Sequence, residues 1–106
     1  MSRTALVLAD STTDPEVLVW PSKGPDEELD YTLDWTARLD EGDSISDATW
    51  IYTFTGIVTA QSFTGTTTTV WLANGEVDKT YVLKCEITTG SSRVMEQTVN
   101  ITIRRR

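Results

Sequence analysis

The chain has no histidine, a single cysteine and three prolines among its 106 residues. Without histidine it lacks the commonest general base and the commonest transition-metal ligand. With Cys85 alone no internal disulfide can form, which fits assembly in a reducing cytoplasm. Basic side chains are scarce too: nine lysines and arginines stand against sixteen aspartates and glutamates, a net charge of −7. Nucleic acid needs lysine and arginine in number to meet its phosphates, so it is not an expected partner. No apolar run approaches the ~18 residues of a membrane span, and Arg3 to Ala9 is too short and too weakly flanked for a secretory signal. The expectation is a soluble product with no membrane partner, reaching its place without the general secretion route.

Recognisable chemistry is missing as well. There is no glycine-rich phosphate loop and no Gly-x-Ser-x-Gly elbow. Asp40-Glu41-Gly42-Asp43 superficially suggests calcium, but the twelve-residue ligand spacing is absent, and a plain acidic turn is the simpler reading. Glu27 and Glu28 fall in a segment expected to be exposed, where carboxylate pKa values stay near normal and a catalytic pair is not poised. The sequence therefore assigns no catalytic, cofactor-binding or metal-ligating residue and no cofactor, and the chain reads as a non-enzyme.

What is present is threonine, serine and β-branched residues in short runs, with no stretch repeating apolar residues at i, i+3, i+4 and i+7 over a helix length. Val17 to Trp20 reads as a strand stopped by Pro21, which has no ladder donor. Asp30 to Arg38 alternates cleanly, with Tyr31, Leu33, Trp35 and Ala37 on one face. Further strands are expected over Ile45 to Thr55, Ile57 to Phe63, the threonines 66–69 running into Ala73, Thr80 to Thr88, and Arg93 to Ile103. Asn74-Gly75 is the clearest turn, because both residues readily take left-handed conformations. About seven short strands at intervals of 8–12 residues indicate one all-β domain, an antiparallel two-sheet sandwich over residues 17–103.

The inward faces of these strands nominate a core of Leu33, Trp35, Trp50, Tyr81, Leu83, Cys85 and Ile87. Each indole can bury ~150–250 Å². Cys85 reads as a core thiol, with an intermolecular disulfide as the alternative. Tyr81 stands just after a tight turn at the start of a late strand, where sandwiches place a tyrosine whose hydroxyl bonds back to nearby backbone; ordinary packing on a β face is the alternative.

Residues 1–16 are either an edge segment or an arm that orders on a neighbour, and 104–106 form a basic tail that either contacts a partner or simply solubilises. Charge is uneven: residues 1–47 hold twelve acidic and three basic side chains, residues 48–106 four acidic and six basic. That asymmetry can steer subunits together or merely solvate one region.

Three passages carry a resemblance: Trp20-Pro21 through Pro25-Asp26-Glu27; Leu29-Asp30-Tyr31-Thr32-Leu33-Asp34-Trp35-Thr36-Ala37-Arg38-Leu39 with Gly42-Asp43-Ser44-Ile45; and Ser62-Phe63-Thr64-Gly65 followed by Val70-Trp71-Leu72. Together these cover most of residues 20–89 and resemble the small immunoglobulin-like virion proteins of tailed phages known as fiber-tail adaptors. The resemblance implies an immunoglobulin-like sandwich and a structural role in the virion, joining tail or collar components to fibers. Expected partners are other virion proteins and further copies of the chain in a ring, assembled in the host cytoplasm. Leu6, Val7, Leu8, Trp20, Trp71, Arg104, Arg105 and Arg106 are the candidate contact residues. A capsid decoration protein and a carbohydrate-binding or adhesion module, with exposed tryptophans stacking on sugars, are the competing readings.

Overall fold

A computed structural model describes residues 3–8 and 17–105. Eight strands form two four-stranded sheets: β1 (Thr4–Leu6), β2 (Val17–Val19), β3 (Leu29–Asp34), β4 (Ile45–Ile51), β5 (Val58–Phe63), β6 (Thr67–Leu72), β7 (Thr80–Thr89) and β8 (Val94–Thr102). One sheet has the order β1-β3-β6-β5 and the other β2-β8-β7-β4. With β3 to β8 as strands B to G, this is the arrangement of an immunoglobulin-like sandwich. The pairing is antiparallel except at the N-terminal edges, where β1 lies parallel to β3 and β2 parallel to β8.

Alternation builds the core. Tyr31 and Leu33 from β3, Val70 and Leu72 from β6, Leu83, Cys85 and Ile87 from β7, and Val99 and Ile101 from β8 are all buried. A bulge between Ile45 and Asp47 resets the alternation of β4, so that Ile45, three residues before Ala48, can share its inward side with Trp50. Trp50 and Cys85 are register partners across β4 and β7.

Two expected strands are shorter than their patterns suggest. The strand from Asp30 ends at Asp34, because the Asp34 carboxylate accepts hydrogen bonds from the Thr36 N–H (3.0 Å) and hydroxyl (2.7 Å) and starts a turn. The strand from Ile45 ends at Ile51, and Tyr52 and Phe54 stack on each other beyond it, with Phe54 edge-on to Tyr81. The Tyr81 hydroxyl accepts from the Glu76 N–H at 3.0 Å, which is the backward bond of a tyrosine corner.

Trp20 is a correction. Nominated as a contact residue, it is buried between the sheets against Tyr31 and Trp50, and its indole N–H donates to the Thr32 carbonyl at 3.0 Å. The indole is the next inward position of the alternation that leaves Val17 and Val19 exposed, and backbone bonds from Trp20 to Asn100 and from Lys23 to Thr102 carry the segment straight on along β8 through Pro21. Lys23 is also fully buried: its ammonium donates to the carbonyls of Gly24 (2.6 Å), Glu27 (2.7 Å) and Asn74 (2.6 Å). Three donors meet three acceptors, which is what allows a lysine to be buried. Burial pulls its pKa below the ordinary 10.5, against the opposing pull of Glu27 and Asp26.

Candidate protein-docking surface

The outer face of the β1-β3-β6-β5 sheet is built from the residues that the core does not use. Thr32 and Thr69 sit opposite each other with hydroxyls 3.0 Å apart, and the next row sets Asp30, Trp71 and Ala60 side by side. Trp71 keeps 40% of its surface exposed near the Leu72 end of β6, flanked by Val70 and Leu72 that point into the core. Carboxylates border it: Glu28 accepts from the Thr59 hydroxyl at 2.8 Å, and Asp30 is held 3.3 Å from the Arg3 guanidinium. An indole on a hydroxyl-lined, negatively edged sheet offers dispersion, apolar burial and hydrogen bonds to a partner.

The N-terminal segment extends this face. Val7 was nominated as a contact residue, and here too the structure corrects the expectation: Val7 is fully buried, its N–H bonded to the Asp34 carbonyl at 2.8 Å. Alternation turns Leu6 and Leu8 outward, and both are exposed. Arg38 clamps the segment, donating from Nε to the Leu8 carbonyl (2.9 Å), from Nη1 to the Glu96 carbonyl (2.9 Å) and from Nη2 to Gln97 Oε1 (3.0 Å), above the Trp35 ring. Residues 9–16 and Arg106 lie outside the described residues.

Leu6 and Trp71 thus fall on one sheet, four rows of the register apart, and Leu8 lies just beyond the end of β1. Arg104 and Arg105 do not join them; they follow β8 of the other sheet, where Arg104 pairs with Asp78 at 3.2 Å. Leu33, Trp35, Trp50, Tyr81, Leu83, Cys85 and Ile87 are all buried. Inside, Thr68 Oγ1 accepts from the Trp35 indole at 3.0 Å and lies 3.5 Å from the Cys85 sulfur. Burial pushes the Cys85 thiol pKa up to about 11.

A groove of about 260 Å³ between the edge strands β4 and β5 is lined by Ala48, Trp50, Gln61, Ser62 and Phe63, none of them ionisable. In the acidic turn, Asp43 accepts from the Ser91 hydroxyl (2.6 Å) and the Ser44 N–H (2.9 Å), while Arg93 approaches both Asp40 and Asp43. The Ser91 bond leads the causes that lower the Asp43 pKa. These carboxylates tie the turn to the β7–β8 hairpin, and no acidic cluster among the described residues is arranged to hold a metal.

A family model described as podophage GP4 fiber-tail adaptor protein gp77 matches residues 23–102. The chain belongs to this fiber-tail adaptor family. The matched span runs from the buried Lys23 to the last residue of β8, so it covers the sandwich from β3 onward. An adaptor of this family is a structural component of the phage virion. No curated protein matches the chain.

Among solved structures, an endo-fucoidan hydrolase of glycoside hydrolase family 107 aligns at a TM-score of 0.59 and 12% identity over 85% of this chain. A 2,6-sialyltransferase from a Photobacterium species of the Vibrionaceae gives 0.55 and 12% over 88%. The adaptor spans only 13% and 19% of those two enzymes. Titin domain M7 gives 0.50 and 13%, covering 88% of this chain and 90% of that domain. At such identities the likeness shows the immunoglobulin-like fold alone.

Two groups of residues went unnominated in the sequence. Lys23, Thr68 and Arg38 are polar side chains whose roles depend on contacts 33 to 59 residues away in the chain. Asp30, Thr32 and Thr69 look like ordinary outward positions until the register sets them around Trp71.

Proposed function

We propose that this protein is a non-enzymatic adaptor that joins tail or collar components of a phage to its fibers through protein-protein contacts. The observation that carries the reading is the family match over the sandwich, residues 23–102. The architecture is consistent with it: a rigid slab presents an exposed indole and two outward leucines at fixed positions, and Arg38 fastens the terminal segment to the body. Trp71 is the proposed contact centre, with Leu6 and Leu8 at the far end of the β1 edge as a second contact, since an aromatic beside a polar rim is the usual makeup of a binding hot spot. Asp30 is already met by Arg3, and the Glu28 carboxylate at the border favours a partner surface bearing lysine or arginine. Copies assembled in the host cytoplasm and set in a ring around the tail would repeat the contact at each fiber position.

Particles grown from a phage lacking this chain test the reading. They are expected to keep heads and tails and to lose fibers, as counted by electron microscopy. Fully fibered particles would overturn it, and loss of capsid integrity instead would point to a decoration role.

A further inference from the structure

The outer face of the second sheet carries five exposed aliphatic side chains, four of them in two adjacent rows and the fifth, Val94, at the start of β8. Val19, Asn100 and Val82 form one row across β2, β8 and β7; Val17, Thr98, Lys84 and Ile51 form the next, reaching β4. Val19 is 63% exposed and Val82 53%. A cluster of this kind marks a contact surface. From it we infer that this face packs against the same face of a second copy of the chain, about a two-fold axis perpendicular to the strands.

Charge and size favour a second copy. Each copy carries −7, so two copies approach best through a face where charge is balanced. The two aliphatic rows contain one ionisable group, Lys84, and it is paired with Glu96 at 3.0 Å. Beyond the rows the ends differ in sign. Glu86 and Glu96 stand opposite each other at one end, while Arg104 and Arg105 follow β8 at the other, Arg104 sharing its charge with Asp78. A two-fold axis perpendicular to the strands lays the glutamate end of each copy over the arginine end of its mate.

The strands of this sheet, at ~3.4 Å per residue and ~4.8 Å apart, project about 470 Å² per copy. Two corrugated faces of that size expose more than their projection, and so clear the roughly 1,000 Å² a specific interface needs. The face is separate from the Trp71 surface, which lies on the other sheet. A subunit paired in this way would still present a Trp71 surface from each copy.

Sedimentation equilibrium of the full-length protein tests the inference. The wild type is expected to be a dimer that weakens between low and high salt. Val82→Glu, and independently Ile51→Lys, are expected to weaken it at least tenfold with unchanged circular dichroism and melting, while Trp71→Ala leaves the constant alone. A wild type that remains monomeric up to about 1 mM would overturn the inference, as would a dimer indifferent to both substitutions. Indifference to salt would overturn the proposed axis. A monomeric wild type would leave the adaptor reading standing, because that reading is tested by fibers on particles.

Discussion

Lys23 Nζ and the Asn74 carbonyl meet at 2.6 Å across 51 residues of chain, tying the proline-rich connection before β3 to the Asn-Gly turn before β7. The same ammonium holds the carbonyls of Gly24 and Glu27, and the Glu27 carboxylate in turn accepts from the Gly24 N–H at 2.6 Å. On the other side of the knot Gly75 lies under Ile103: a Cβ there would stand 2.7 Å from Ile103 Cγ1, and its φ of 106° is itself costly for other residues. Two segments that read from the sequence as separate loops are one packed unit.

Replacing Lys23 by methionine keeps most of the apolar stem and removes all three donors. Buried carbonyls left without partners cost about 1–3 kcal/mol each at most, and partial access of water reduces the sum, so a loss of about 3–5 kcal/mol is expected. For a domain of this size each kcal/mol lowers Tm by about 4–8 °C. Thermal unfolding followed by circular dichroism measures it, and a Tm within about 5 °C of wild type would contradict the role given to Lys23.

Thr68→Val is nearly isosteric and takes away the acceptor of the buried Trp35 indole. The expected cost is about 1–3 kcal/mol by denaturant unfolding, that of an orphaned buried donor. Trp50 provides the contrast, since its indole N–H is buried and has no acceptor among the described residues. Trp50→Phe therefore loses volume and no hydrogen bond. Equal wild-type stability for Thr68→Val would show that the Trp35–Thr68 bond contributes nothing.

The Cys85 thiol gives a dependence on pH. Its folded pKa of about 11 exceeds the ordinary 9.0, so the folded chain holds its proton through a window in which the unfolded chain loses it. Stability from this group is complete below pH 9 and declines as pH rises toward 11, by about 2–3 kcal/mol in all. Lys23, whose pKa is lowered, works in the opposite direction but is present in both proteins when wild type is compared with Cys85→Ala. The stability difference between the two should shrink from pH 9 to pH 11; a constant difference would be inconsistent with the burial of this thiol.

Trp71→Ala should separate docking from folding. Its side chain is on the outer face of β6, so stability should change by less than about 1 kcal/mol. Incorporation into particles in a complementation assay should fall at least tenfold. Normal incorporation would remove Trp71 from the contact.

Much of the architecture was legible because period-2 alternation reports which side of a strand faces water. Tyr31, Leu33, Leu83, Cys85 and Ile87 follow that rule. Strand ends were less legible: alternation persists through Trp35 and Ala37, but the Asp34 side chain captures the Thr36 backbone and ends β3 first. Val7 was read as a contact because a terminal segment stays loose unless something holds it, and Trp20 was placed with it. Whether a short segment lies on an edge or floats free depends on partners such as Arg38 and Asp34, which are distant in sequence. The Val17, Val19, Ile51 and Val82 patch was hidden for the same reason, since its members come from three strands that only the register aligns.

A cryo-EM map of the parent particle tests the central claim most directly. The account predicts an immunoglobulin-like domain at the junction of tail and fibers, with Trp71 and the Leu6–Leu8 segment buried against a neighbouring virion protein. Density for this domain on the capsid lattice, or at the tail with the Trp71 face open to solvent, would contradict it.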